Sequence, residues 1–233
     1  MERRGATPVE WFAAAGGLVL MAGLAVAGTG AIGRARSDAS IDAIGAAAFG
    51  WGVVALYVVV LLDIIVAWAL WRVFRADRPG GAALAAAFRL AYAAAFAAAI
   101  AFLADAHRIA AGLDGTGAFD AEARDATVFM RLGEFDTAWS GALLVFAAHL
   151  VVIGWLLVRR GGVFAIIVGV LVFVAGAGYA VDSVVRIVTP ESDTGVAQFT
   201  FIGELVLIAW PVVGGIGSIR AVRRPTGAMR EGA

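Results

Sequence analysis

The sequence predicts an all-α protein: a polytopic transmembrane helical bundle of six spans, with its N- and C-termini in the cytoplasm. Three observations carry that prediction. Of 233 residues, 62% are apolar and 15% charged, with a mean hydropathy of +0.90; a soluble domain averages about 45–50% apolar and about 25% charged. The apolar residues form continuous stretches, each near the roughly 20 residues a helix needs to cross a hydrocarbon core of about 30 Å. The turns RADRPGG and RRGG between them carry arginine, and short arginine-bearing loops mark the cytoplasmic side. Strands are excluded because the stretches are continuous and longer than the roughly 10 alternating residues of a barrel strand. Backbone groups in lipid must then be paired within helices.

The expected spans run over 11–33, 48–71, 82–104, 137–158, 163–185 and 197–219, within a single transmembrane domain, 1–233. The first follows Arg3-Arg4 and contains Ala25-Val26-Ala27, which imitates a secretory signal and its cleavage site. Its apolar run exceeds the usual core of about 7–15 residues, so it is read as a retained anchor. The connector 34–47 offers Ser37 or Ser40 as a helix cap. The second span carries Asp63, and the alanine-rich third carries Arg89. The long acidic outer loop 105–136 follows. Its segment FDAEARDATVFMRLGEF places Phe119, Ala123, Val128, Phe129 and Leu132 at the spacing of an amphipathic helix on the membrane surface; the alternative is a solvated connector. His149 lies in the fourth span. Gly162, Gly169 and Gly176 repeat along the fifth, and Gly16, Gly17, Gly23 and Gly28 enrich the first. Such residues let helix backbones approach closely, within the chain or against another copy or a partner membrane protein. Pro211, after Trp210 in the sixth span, is expected to kink or loosen that helix.

Composition closes several function classes. With no cysteine there are no disulfides, iron–sulfur clusters or thiol nucleophiles. Two histidines cannot form a three-histidine zinc site. Zero formal charge argues against nucleic acid as a partner; the expected partner is the lipid bilayer. No GxSxG, P-loop or HExxH pattern occurs, and the GxGxxG spacing of Gly28, Gly30 and Gly33 lies inside an apolar span rather than after a strand, so it is no dinucleotide fingerprint. No catalytic residue, cofactor or metal is therefore assigned, although Asp63, His149, Asp182 and Glu204 could formally make a histidine–carboxylate set.

Ionisable groups inside spans are costly, at least about 2.5 kcal/mol at the centre, and so are candidate functional residues. Asp63 and Arg89 flank the turn at Asp77 by 14 and 12 residues, which puts opposite charges at one depth on adjacent helices. His149, 10 residues before Arg159, falls near the same level. Asp182 and Glu204 are each 11 residues from Asp193 and share another depth. Arg186 follows Asp182 by one turn, and Tyr179 precedes it by three residues. The candidate polar cluster is therefore Asp63, Arg89, His149, Tyr179, Asp182, Arg186 and Glu204. His107, just beyond the third span, is expected far from His149, which disfavours a bis-histidine haem.

The pieces LLDIIVAWALW, AAFRLAYAA, FAAHLVVIGWLLVRRGG, AGAGYAVDS and IGELVLIAW span nearly the whole chain. Through them the sequence resembles the bacterial membrane family DUF4386. The resemblance implies a six-span protein of the bacterial inner (plasma) membrane and brings no activity with it. Phe49-Gly50 stands where members of that family often carry a phenylalanine–arginine pair. Three readings follow: a non-catalytic membrane module with an accessory, sensory or structural role; a small solute or proton-coupled transporter; and, last, an intramembrane enzyme.

Overall fold

The computed structural model describes residues 6–38, 40–113, 120–189 and 196–222, the last with side chains over 205–219 only. Seven helices and no strand occur among the described residues: α1 (Pro8–Ser37), α2 (Ile41–Gly45), α3 (Ala47–Phe74), α4 (Pro79–Ala110), α5 (Ala121–Arg160), α6 (Val163–Val188) and α7 (Val196–Val222). Helices α1, α3, α4, α5 and α6 are each long and apolar enough to cross a membrane; the described apolar part of α7 is Leu205–Ile219. Large apolar side chains are also turned outward, Leu61 at 61% and Val174 at 54% exposure among them. Water would penalise such a surface, and acyl chains accept it.

Local chemistry starts and stops these helices. At α1 the Glu10 carboxylate accepts a 2.8 Å hydrogen bond from the Thr7 amide, half of a capping box, and Pro8 occupies the first helical position. Ser40 caps α2 by accepting from the Ala43 amide, and Asp120 caps α5 by accepting from the Ala123 amide. The α5–α6 turn needs glycine twice, because Gly161 and Gly162 have φ of +83° and +86°.

The long helices pack in chain order: α1 on α3, α3 on α4, α4 on α5, α5 on α6, α6 on α7, and α7 back on α1. An even number of rods can close into a ring in which every neighbour is antiparallel. The α5–α6 seam is built on glycine. A Cβ on Gly169 would lie 2.8 Å from the Gly154 carbonyl oxygen, and one on Gly176 would lie 2.9 Å from that of Ala147. Gly169 and Gly176 of the glycine repeat are thus used within the chain, against α5, whereas Gly162 serves the turn. On α1, Gly28 meets Gly52 and Leu56 of α3, whereas Gly16 and Gly23 face open space.

The region 105–136 differs from expectation. Residues 105–110 finish α4, and 121–136 are the first turns of α5, one helix of 40 residues. At 1.5 Å per residue it is about 60 Å long, about twice the hydrocarbon thickness. Among the described residues no separate surface helix forms, because α5 runs unbroken from Ala121 to Arg160. Its apolar stripe, Val128, Leu132 and Phe135, is buried against the protein rather than laid on lipid; Phe129 is exposed. Phe119 lies outside the described residues. Ser40 caps the short α2 and Ser37 ends α1, so the connector 34–47 is mostly helical. α7 remains helical on both sides of Pro211.

Candidate functional site

Arg89 is the largest fully buried side chain, at 1% exposure, and stands inside the helix ring. From α4 it meets three other helices. Its Nη2 lies 2.7 Å from Asp63 Oδ1 of α3 and 3.4 Å from Met21 Sδ of α1. Its Nη1 lies 3.0 Å from His149 Nε2 of α5. The guanidinium also sits 5.5 Å from the centre of the Phe146 ring. The matched depths expected for Asp63, Arg89 and His149 are therefore realised as contact.

This chain defines the histidine's proton. His149 Nδ1 is 2.8 Å from the Ala85 carbonyl oxygen, which can only accept, so Nδ1 carries the hydrogen. Nε2 faces an arginine, which can only donate, so Nε2 is the acceptor. The imidazole is neutral and held at both nitrogens. Asp63 is less completely served. Despite its ion pair with Arg89, neither carboxylate oxygen receives a well-aligned hydrogen bond among the described residues.

Beside this chain lies a cavity of about 560 Å³. Asp63 is at its floor. Leu18, Met21, Ala25 and Thr29 of α1 form one wall, and Trp139, Leu143 and Phe146 of α5 another, with Asp136 at the rim. Tyr179, Asp182 and Arg186 of α6, Tyr92 of α4, and Leu205 and Ile208 of α7 complete the lining. From Phe146 to Asp136 is ten residues of α5, about 15 Å of depth. The rim is polar: Arg186 Nε donates to Asp182 at 3.0 Å, and Arg36 holds Asp136 with both guanidinium nitrogens, the Nη1–Oδ1 bond measuring 2.9 Å.

The opposite end of the bundle is shut. Trp210 stacks on Phe74 with ring centres 4.9 Å apart and tilts against Trp11 at 4.8 Å. The Arg160 guanidinium lies 5.5 Å from each of these two indoles. Glu10 and Arg72 join α1 to α3 at this end, and Arg160 and Asp77 join α5 to the α3–α4 turn at 3.2 Å.

The candidate residues thus fall into a floor chain, Asp63–Arg89–His149, and a rim group, Tyr179, Asp182 and Arg186. Asp63 and the rim group line one cavity. The Glu204 side chain lies outside the described residues. His107 is elsewhere: its Nδ1 donates to the Ile44 carbonyl at 2.7 Å, and its ring stacks on Phe49. Gly50 makes room for that ring, since a Cβ there would lie 2.9 Å from His107 Nε2. Ala85, bonded to His149, is 22 residues from His107 along α4, about 33 Å, so the two histidines cannot share a ligand. Among the described residues no three histidine or carboxylate side chains gather around a common point. Sequence reasoning missed Met21, Arg36, Tyr92, Asp136 and Trp139. Only their helical spacing was available, and which faces turn inward depends on the order of the ring.

Fold and site define a class: a multi-pass helical membrane protein with an internal cavity and a buried charge chain. Within that class, the chain belongs to the DUF4386 family, a domain of unknown function, which it matches over residues 12–215. It is also similar to an uncharacterised protein of Archaeoglobus fulgidus, 27% identical over 165 residues, covering 71% of this chain and 84% of that protein. No solved structure matches it.

Proposed function

We propose that this protein is a non-catalytic membrane receptor whose bundle holds a small amphiphilic molecule in the cavity between α1, α5, α6 and α7. The observation that carries this reading is the cavity itself. Its volume lies in the range of small-molecule sites, about 300–1,000 Å³, and apolar walls with a few convergent polar groups are their usual lining. The floor chain has a structural part: Arg89 ties α1, α3 and α5 to α4, so the site sits on rigid elements. The protein resides in the bacterial inner membrane. It crosses it six times, α7 included, with both termini and the two arginine turns in the cytoplasm; the arginine bias supports that orientation. The cavity then opens outward, and the Trp11–Phe74–Trp210 plug faces the cytoplasm. An exposed face of α1 carrying Gly16 and Gly23 is free to meet a partner helix.

Because the natural chain has no cysteine, the reading can be tested with single cysteines. Ala25→Cys, on the cavity wall, should react with a small polar methanethiosulfonate in folded protein. Ala14→Cys, at 0% exposure, should not. An inert Ala25→Cys would remove the cavity from consideration. A second reading, a solute carrier, is favoured by one observation: the Trp11–Phe74–Trp210 plug shuts the end of the bundle away from the polar rim, as in an outward-open carrier. Proteoliposomes showing flux of a cavity ligand, abolished by Asp63→Asn, would support it; binding without flux leaves the receptor.

A further inference from the structure

The ion pairs around the cavity are oriented. Asp63 lines it, whereas its partner Arg89 does not; Asp136 lines it, whereas its partner Arg36 does not. In both pairs the acidic residue lines the space and its arginine partner does not. Of the charged groups on the wall among the described residues, Asp63, Asp136 and Asp182 are acidic and Arg186 alone is basic. Each pair is neutral overall, yet a charge inside the cavity is closer to the carboxylates. In a low-dielectric surrounding that difference in distance is a substantial field.

Two further features point the same way. Asp63 is 1% exposed; Arg89 Nη2 lies 2.7 Å from its Oδ1, and neither oxygen receives a well-aligned hydrogen bond from the described residues. A buried carboxylate has about four acceptor sites, so capacity is left for a donor arriving from the cavity. Above it stand Tyr92, Trp139, Phe146 and Tyr179. Tyr92 and Phe146 have ring centres 4.6 Å apart, and Tyr179 meets Phe146 edge-on at 6.0 Å. Aromatic faces attract cations through the ring quadrupole.

We propose that the cavity selects an organic cation: a hydrophobic amine whose ammonium group donates hydrogen bonds to Asp63 while its apolar body fills the space between Leu18, Leu143 and Ile208. This rests on the reading of the cavity as a ligand pocket and adds the charge of the ligand.

The test is an isosteric trio, 1-adamantylamine, 1-adamantanol and adamantane-1-carboxylate, titrated calorimetrically into the full chain in detergent at pH 7. The amine should bind at least tenfold tighter than the carboxylate, with the alcohol between them. Trp139→Leu should weaken the amine about fivefold and leave the alcohol unchanged. Asp63→Asn should cost the amine tenfold or more; if that variant does not fold, the Trp139→Leu comparison decides. A carboxylate that binds as tightly as the amine overturns the cation inference and leaves the pocket standing. Equal losses of amine and alcohol in Trp139→Leu do the same. No binding by any of the three overturns the pocket reading, and the inference with it.

Discussion

The decisive residue is Arg89, because it holds a full charge where water cannot reach it. Removing one partner of a buried ion pair leaves the other uncompensated, typically at about 3–5 kcal/mol. Arg89→Ala would strand Asp63 and leave His149 Nε2 without its donor, so a loss at the upper end of that range is expected. Asp63→Leu combined with Arg89→Met removes both charges and should recover most of the loss. Thermal unfolding of the detergent-solubilised protein, followed by size-exclusion, checks this; a double variant no more stable than Arg89→Ala would show that the pair is not the cause. The histidine gives a sharper readout. With hydrogen on Nδ1 and Nε2 accepting from Arg89, the ring ¹⁵N shifts of His149 should report a single neutral Nδ1–H tautomer, and Arg89→Ala should move the Nε2 shift while the Ala85 carbonyl keeps the hydrogen on Nδ1. This chain was legible in the sequence because charges in oily spans must pair, and counting residues from a hairpin turn gives depth. Met21 was not legible, because a methionine on an apolar helix face has no distinguishing pattern until its neighbour is known.

At the scale of elements, the α5–α6 seam sets how close two rods can come. Gly169→Leu must push a side chain into the Gly154 carbonyl and Leu157. Overpacking of this kind costs about 1–3 kcal/mol, so a fall in melting temperature is expected together with a loosened α6. Gly141, on the partner helix α5, is the internal control. A Cβ there meets nothing within 4 Å, so Gly141→Ala should stabilise by about 0.5–1 kcal/mol through helix propensity. If both substitutions shift the melting temperature alike, propensity rather than packing governs the seam. The helices themselves were largely readable from apolar run length. What failed was the boundary between a span and its extension. A stripe such as Val128, Leu132 and Phe135 marks a buried face, and periodicity cannot say whether lipid or protein buries it. The real signal was the absence of any breaker between Ala121 and Arg160.

At the scale of the whole molecule, the cavity follows from closure. A ring of six rods around small inward residues on α1, Ala22 and Ala25, leaves space beside the Arg89 chain. That space belongs to no single helix, so no stretch of sequence announces it. Closure also fixes the polarity of the molecule, because one set of turns lies at the aromatic plug and the other at the polar rim. Asp77, half exposed in the α3–α4 turn, belongs to the plug end, and Glu122, in the first turn of α5, to the rim end. Each can be replaced by cysteine at little cost: the Asp77–Arg160 pair is an exposed one, worth at most about 1 kcal/mol, and Glu122 is exposed. In intact cells stripped of their outer membrane, a membrane-impermeant maleimide should label Glu122→Cys and spare Asp77→Cys until the membrane is opened. A cysteine at Ala228 should behave like Asp77→Cys, because a sixth crossing by α7 returns the chain to its starting side. Labelling of Ala228→Cys from outside would leave five crossings and strand α7 from the ring. Labelling of Asp77→Cys from outside would turn the molecule over, so that the cavity faced the cytoplasm and drew its ligand from within the cell.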